Sequence, residues 1–183
     1  MNIETDYWQA ICSAMDMLGE RPETIFLGQS VVYPGVNVNK TLPDLPYQKL
    51  EMPVAENMQL GLSIGLALTG RLPVCIFPRF NFVLSAADQI VNHLDKLDAV
   101  SRGGYRPKVI IRTAVGCTRP VDPQEQHLGN FSDAFRLMTR NVNVMECHTA
   151  QDVEQNYRNA MNHSKSSIVV EFTSKYFRLS PEK

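Results

Sequence analysis

The chain has 183 residues, of which 44% are hydrophobic and 20% charged, with a formal net charge of −1. That length and balance fit one globular domain with a core of its own, spanning 1–183. The near-neutral charge gives no electrostatic case for nucleic acid or an anionic membrane surface. No apolar run reaches bilayer length, and the opening MNIETDYWQA lacks the basic region and apolar core of a secretory leader. Cys12, Cys75, Cys117 and Cys147 are widely spaced, with no C-x-x-C pair. They read as reduced core thiols of a cytoplasmic protein, not as a disulfide framework or zinc site.

Taken in order, Thr5 caps a first helix that runs through Leu18, with Trp8, Ile11, Cys12 and Met15 on one face. Arg21-Pro22 breaks it, and Thr24 to Gly28 reads as a short buried strand. The following stretch, GQSVVYPGVNVNKTLPDLP, is rich in Gly, Pro and Asn without helical period, and reads as a functional loop. From Asn57 to Thr69 the chain carries no charge: Leu60, Ile64, Leu66 and Leu68 alternate with small residues, which predicts a helix buried on all sides. Gly70 caps it in a left-handed conformation.

Next come a strand from Pro73 to Phe77, an aromatic loop ending FNF, and a second helix over Ser85 to Val100. Lys108 to Val115 is a β-branched run suited to a buried strand. A second loop, GCTRPVDPQEQH, leads to a helix near 131–139 and a strand at Val142 to Cys147. Thr149 with Asp152 predicts a capped helix through Asn162, and Ser167 to Phe172 is the last strand.

Strands thus alternate with helices, which predicts an α/β fold with a mostly parallel sheet covered on both faces. Its ligand site belongs at the carboxyl edge of the strands, where the loops at Gln29, Phe77 to Phe82 and Gly116 to His127 gather. Glu56 stands at the head of the apolar helix, where the helix amino terminus favours negative charge while burial favours the neutral acid. A poised carboxyl group suits proton chemistry; the plainer reading is that Glu56 only caps its helix.

Glu56, the GLALTG turn at Gly65 to Gly70, the FPRFNF loop at Phe77 to Phe82, and Asp88-Gln89 with Asn92 resemble the pyrimidine-binding domain of thiamine diphosphate enzymes. The resemblance is to the beta subunit of the decarboxylating component of 2-oxo-acid dehydrogenases and, more distantly, to transketolase. It implies that Glu56 hydrogen-bonds a ring nitrogen of the cofactor's aminopyrimidine, which promotes loss of the thiazolium proton. It also implies that Phe82 stacks on the pyrimidine, whereas Phe77 and Phe80 read as core. His127 matches a histidine lining the substrate channel, where a pKa near neutrality suits a proton shuttle or anion contact. The resemblance makes Gln29 a cofactor-binding position, in the turn that is Gly-Glu-Glu-like and beside the cofactor in the family; here Gly28-Gln29-Ser30 makes two acidic positions neutral. His93, His148 and His163 read as solvated.

The chain contains no Gly-Asp-Gly segment followed by asparagine, the signature with which these enzymes hold magnesium and diphosphate, and no P-loop or dinucleotide turn. The resemblance therefore implies a chain that takes the pyrimidine half of thiamine diphosphate while a second subunit supplies Mg2+ and the diphosphate site. The expected assembly is an α2β2 hetero-oligomer with active sites at the interface. The chain also stops where the resembled beta subunits continue into a carboxyl-terminal domain. The implied chemistry makes or breaks a carbon–carbon bond next to a carbonyl. The rival reading is a non-catalytic partner that assembles with or regulates such an enzyme.

Overall fold

The computed structural model describes residues 3–33, 35–119 and 122–178. In chain order the elements are β1 (Ile3–Glu4), α1 (Asp6–Gly19), β2 (Thr24–Gly28), α2 (Asn37–Lys40), β3 (Lys49–Glu51), α3 (Glu56–Leu68) and β4 (Leu72–Phe77). There follow α4 (Phe80–Leu84), a π-helical segment (Gln89–Leu94), α5 (Leu97–Val100), β5 (Ile110–Val115), α6 (Ser132–Met138), β6 (Val142–Glu146), α7 (Ala150–Asn162), β7 (Ser166–Phe172) and β8 (Phe177–Arg178).

Six strands form one sheet in the order β3-β2-β4-β5-β7-β6, and every pairing in it is parallel. The all-parallel sheet agrees with the alternation read in the sequence. Every residue of β4 and β5 is buried, as expected for central strands covered on both faces. Side chains alternate along β4: Val74 and Ile76 enter one core, Cys75 and Phe77 the other. The first core lies under α1 and α7 and holds Trp8, Ile11, Met15, Val153 and Tyr157. The second lies under α3, α4 and α6 and holds Leu60, Ile64, Phe80, Val83 and Phe135.

Caps set the helix ends as expected. Thr5 accepts the Trp8 backbone N–H, and Thr149 with Asp152 forms a reciprocal capping box at α7. Gly70 takes φ +85°, which a side chain would strain.

Three expectations need correction, and one strand pairing was not foreseen. The apolar helix α3 is not buried all round: Gln59, Leu60, Ser63 and Ile64 face the sheet, whereas Met58, Leu62 and Leu68 are exposed. A sheet covers only one side of a helix, whatever the helix carries on the other. The helix expected over Ser85 to Val100 is broken into the π-helical segment and α5, while the FNF part of the aromatic loop is itself helical, inside α4. The loop after β2 contains α2 and ends in the edge strand β3. Finally, β1 and β8 pair antiparallel as a separate two-stranded sheet that ties the chain's two ends together, too short to leave a periodic signal.

Of the four free thiols, Cys75 and Cys147 are buried and Cys12 and Cys117 half-buried, so the expected core placement holds for two of them. Among the described residues, no helix is long and apolar enough to cross a membrane.

Candidate functional site

Gln29 follows β2, Phe82 follows β4, and Gly116 follows β5. These three strands are neighbours, so their loops converge at one carboxyl edge. Glu56 opens α3 and is half-buried there. Its Oε1 accepts a hydrogen bond from Gln29 Nε2 at 3.4 Å. Gln29 is held in turn: its carbonyl accepts the Asn39 amide at 2.8 Å, and Asn39 is buried. The neutral glutamine thus acts as a donor that an acidic residue at this place, when ionised, could not be.

The same turn is built with some strain. Ser30 has φ 60°, and its backbone N–H donates to Glu51 Oε1 at 2.5 Å, while Val32 N–H donates to Glu51 Oε2 at 2.9 Å. Glu51 on β3 therefore returns a carboxylate to a turn whose own acidic positions are neutral. Sequence reasoning missed it, because β3 left no periodic signal.

On the neighbouring loops, the rings of Phe82 and His127 lie 5.2 Å apart, tilted by 57°. His127 sits in a 3-10 turn, Glu125–His127, and its carbonyl accepts the Gly116 backbone N–H at 3.1 Å. A Cβ on Gly116 would lie 2.1 Å from that oxygen, so only glycine allows this approach. His127 Nδ1 is buried without a hydrogen-bond partner among the described residues. An orphaned buried ring nitrogen beside an aromatic face is what a bound heterocycle or substrate would satisfy.

Gln59, one helical turn after Glu56, was also missed. It is buried and donates to the Ile76 carbonyl at 3.0 Å and to Cys75 Sγ at 3.3 Å, which pins the first turn of α3 to β4. Its signal was available: a polar side chain in an otherwise apolar run. Phe77 and Phe80 are core residues, as expected. The matched trio of Asp88, Gln89 and Asn92 works locally, with Gln89 bonded to Asn57 of α3 and Asn92 to Asp88. His93 pairs weakly with Asp88, at 3.5 Å. His148, expected to be solvated, is exposed, and it also stacks on Phe172 at 4.8 Å and lies 3.7 Å from Glu146. Among the described residues, no three His, Cys, Asp or Glu side chains gather as a metal site.

Comparison with known proteins bears on the family and the fold. The family model described as "Transketolase, pyrimidine binding domain" matches residues 4–177. The pyruvate dehydrogenase E1 component subunit beta of Cyanidium caldarium is 26% identical over 92% of this chain and 52% of its own length. The mitochondrial subunit from Homo sapiens is 29% identical over 94% of this chain and 50% of its own. A split-gene transketolase solved as an inactive beta4 tetramer superposes with a TM-score of 0.70 at 17% identity, over 96% of this chain and 52% of that one. Transketolase from Campylobacter jejuni gives 0.69 at 15% identity, over 92% of this chain and 25% of that one. The chain thus spans about half the length of the curated relatives it matches. On the family match over nearly its whole length, this chain belongs to the transketolase pyrimidine-binding domain family.

Proposed function

We propose that this chain is the pyrimidine-domain subunit of a split thiamine diphosphate enzyme that makes or breaks a carbon–carbon bond next to a carbonyl. One observation carries the reading. The Glu56 carboxylate is held through Oε1 by Gln29, and its Oε2 accepts no hydrogen bond among the described residues. That free oxygen stands at the sheet edge where Phe82 and the orphaned His127 Nδ1 also lie. These residues fit an aminopyrimidine: a carboxyl group for a ring nitrogen, an aromatic face, and a further polar contact.

When bound, thiamine diphosphate supplies the electron sink for the carbon–carbon chemistry. Glu56 would hold or yield a proton at Oε2, as the acid/base for a ring nitrogen of the aminopyrimidine. Gln29 fixes the carboxylate rotamer. Phe82 would offer its ring face to the pyrimidine, a contact worth roughly 0.5–1.5 kcal/mol beyond burial. His127 would present Nδ1, which has no partner among the described residues, to the substrate as a hydrogen-bonding group. Mg2+ and the diphosphate site come from a second subunit in an α2β2 assembly with the active site between chains. The reaction is 2-oxo-acid decarboxylation, ketol transfer or carboligation, placed in the cytoplasm.

The test is Glu56→Gln in the complex reconstituted with the diphosphate-binding subunit. Loss of a general acid/base lowers turnover by about 10²–10⁴-fold, with assembly unchanged by size-exclusion chromatography. Undiminished turnover would eliminate the catalytic role and leave a structural partner.

A further inference from the structure

The peptide that joins Gln29 to Ser30 is held at both of its polar atoms. Its carbonyl accepts a hydrogen bond from Asn39 Nδ2 at 2.8 Å, and its N–H donates to Glu51 Oε1 at 2.5 Å. The C=O and N–H of one peptide point in opposite directions. Asn39 of α2 and Glu51 of β3 therefore grip a single plane from its two sides. The chain on either flank is fixed. A Cβ on Gly28 would lie 2.6 Å from the Ile76 carbonyl oxygen, so β2 ends pressed against β4, and Val31 is fully buried. What remains free to turn is the Gln29–Ser30 plane, and it is held in an unfavourable place. Ser30 has φ 60°, a region that a residue with a Cβ disfavours.

The Asn39 side chain serves this contact alone. It is buried, and the Gln29 carbonyl is its one hydrogen-bond partner among the described residues. The helix that carries it, α2, has four residues, too few to hold itself. Its place comes from Val38, buried in the first core, and from Thr41, whose Oγ1 accepts Arg112 Nη2 at 2.8 Å. Arg112 is fixed in turn by Glu171. The turn beside Glu56 is thereby anchored to the centre of the sheet.

At 3.4 Å the bond from Gln29 to Glu56 is close to the outer limit of a hydrogen bond, so a small shift of Gln29 breaks it. We propose that Asn39 and Glu51 are positioning residues, which clamp the Gln29–Ser30 peptide in its strained form and so keep Gln29 on Glu56 Oε1. This role rests on the acid/base function proposed above for Glu56. Without the clamp, Ser30 relaxes to negative φ and the Gln29 side chain leaves the carboxylate.

The test has two arms. In the cofactor-free chain, proton–nitrogen NMR follows the Ser30 amide, which its carboxylate acceptor draws downfield. Asn39→Leu, which leaves Glu51 in place, should move that resonance upfield. In the complex reconstituted with the diphosphate-binding subunit, the readout is exchange of the thiazolium proton of added thiamine diphosphate for deuterium. Asn39→Leu and, from an exposed position, Glu51→Ala should each slow the exchange about tenfold, as loss of one hydrogen bond would. Ser30→Gly removes the penalty on φ and should restore most of the rate in either background, which a mere loss of packing at Asn39 would not allow. A Ser30 amide unmoved in Asn39→Leu overturns the clamp. Exchange unchanged in both variants, where Glu56→Gln slows it, overturns the positioning role. If Glu56→Gln leaves exchange unchanged, the acid/base reading fails and the positioning role with it, while the amide still decides the clamp.

Discussion

The strongest prediction about stability concerns the ion pair between Arg112 on β5 and Glu171 on β7, both fully buried. The guanidinium donates to Glu171 at 2.8 and 3.0 Å and to Thr41 Oγ1 at 2.8 Å. Glu171 also accepts the hydroxyls of Tyr157, at 2.5 Å, and Tyr176. Nη1 of Arg112 has no partner among the described residues, so its charge rests on Glu171 alone. Glu171→Gln keeps the shape and removes that charge, leaving an uncompensated cation in the core. Breaking a buried pair from one side costs about 3–5 kcal/mol. For a chain of this size that is a fall of roughly 6–20 °C in Tm.

Arg112→Met leaves the opposite charge uncompensated and is destabilising for the same reason. The double variant buries no net charge, so it should be more stable than the two single losses summed, with a coupling on the order of 2 kcal/mol. Urea unfolding of all four proteins, with unchanged m-values, gives the cycle. A double variant whose loss equals the sum of the singles would falsify the charge-compensation argument and assign the cost to packing alone.

Other expectations follow from particular contacts. Burial, and then the Glu171 charge, raise the pKa of Tyr157 and Tyr176 above the ordinary 10.0, and Tyr7 rises likewise. The folded chain then holds these phenolic protons more tightly than the unfolded chain. Stability is full below pH 10.0 and is lost as pH rises above it; the fall is at most about 1.4 kcal/mol per pH unit for each phenol. Denaturant midpoints between pH 9 and 11 read this, and Tyr157→Phe should flatten the slope. Thr149→Ala removes one half of the capping box at α7 and should cost about 0.5–2 kcal/mol by urea titration. Gln59→Leu leaves the buried Ile76 carbonyl without its side-chain donor, for about 1–3 kcal/mol. In the reconstituted complex it should also raise the apparent constant for thiamine diphosphate, because Gln59 anchors the turn that carries Glu56.

Much of this molecule was legible one element at a time. The strands Thr24–Gly28 and Ile110–Val115 announce themselves as short β-branched runs, and α1 and α7 by period and cap, because each signal is local. Glu56 and Phe82 were singled out by their place in a recognisable order of residues. Gln29, marked as a loss of acid, proved to be a donor to Glu56, and that reversal depends on two residues 27 apart in sequence meeting in space. Glu51 was invisible for the same reason: its value lies in the amides of Ser30 and Val32. The break of the helix after Phe82 also escaped, since apolar periodicity reports that a helix buries a face and not how its hydrogen bonds shift register.

The sequence by itself determined the alternation of strand and helix, the caps, the sheet's parallel sense and the identity of the carboxyl group at the head of α3. Those are decided by residue type and by neighbours a few positions away. Only the tertiary structure decided which strands adjoin, and therefore that Gln29 reaches Glu56, that Phe82 faces His127, and that Asn39 and Glu51 bond one peptide from its two sides. It also decided that Arg112 and Glu171 compensate each other, since parallel pairing brings together residues 59 apart in the chain. Such meetings are set by crossover connections and close packing, and short-range pattern carries no information about them.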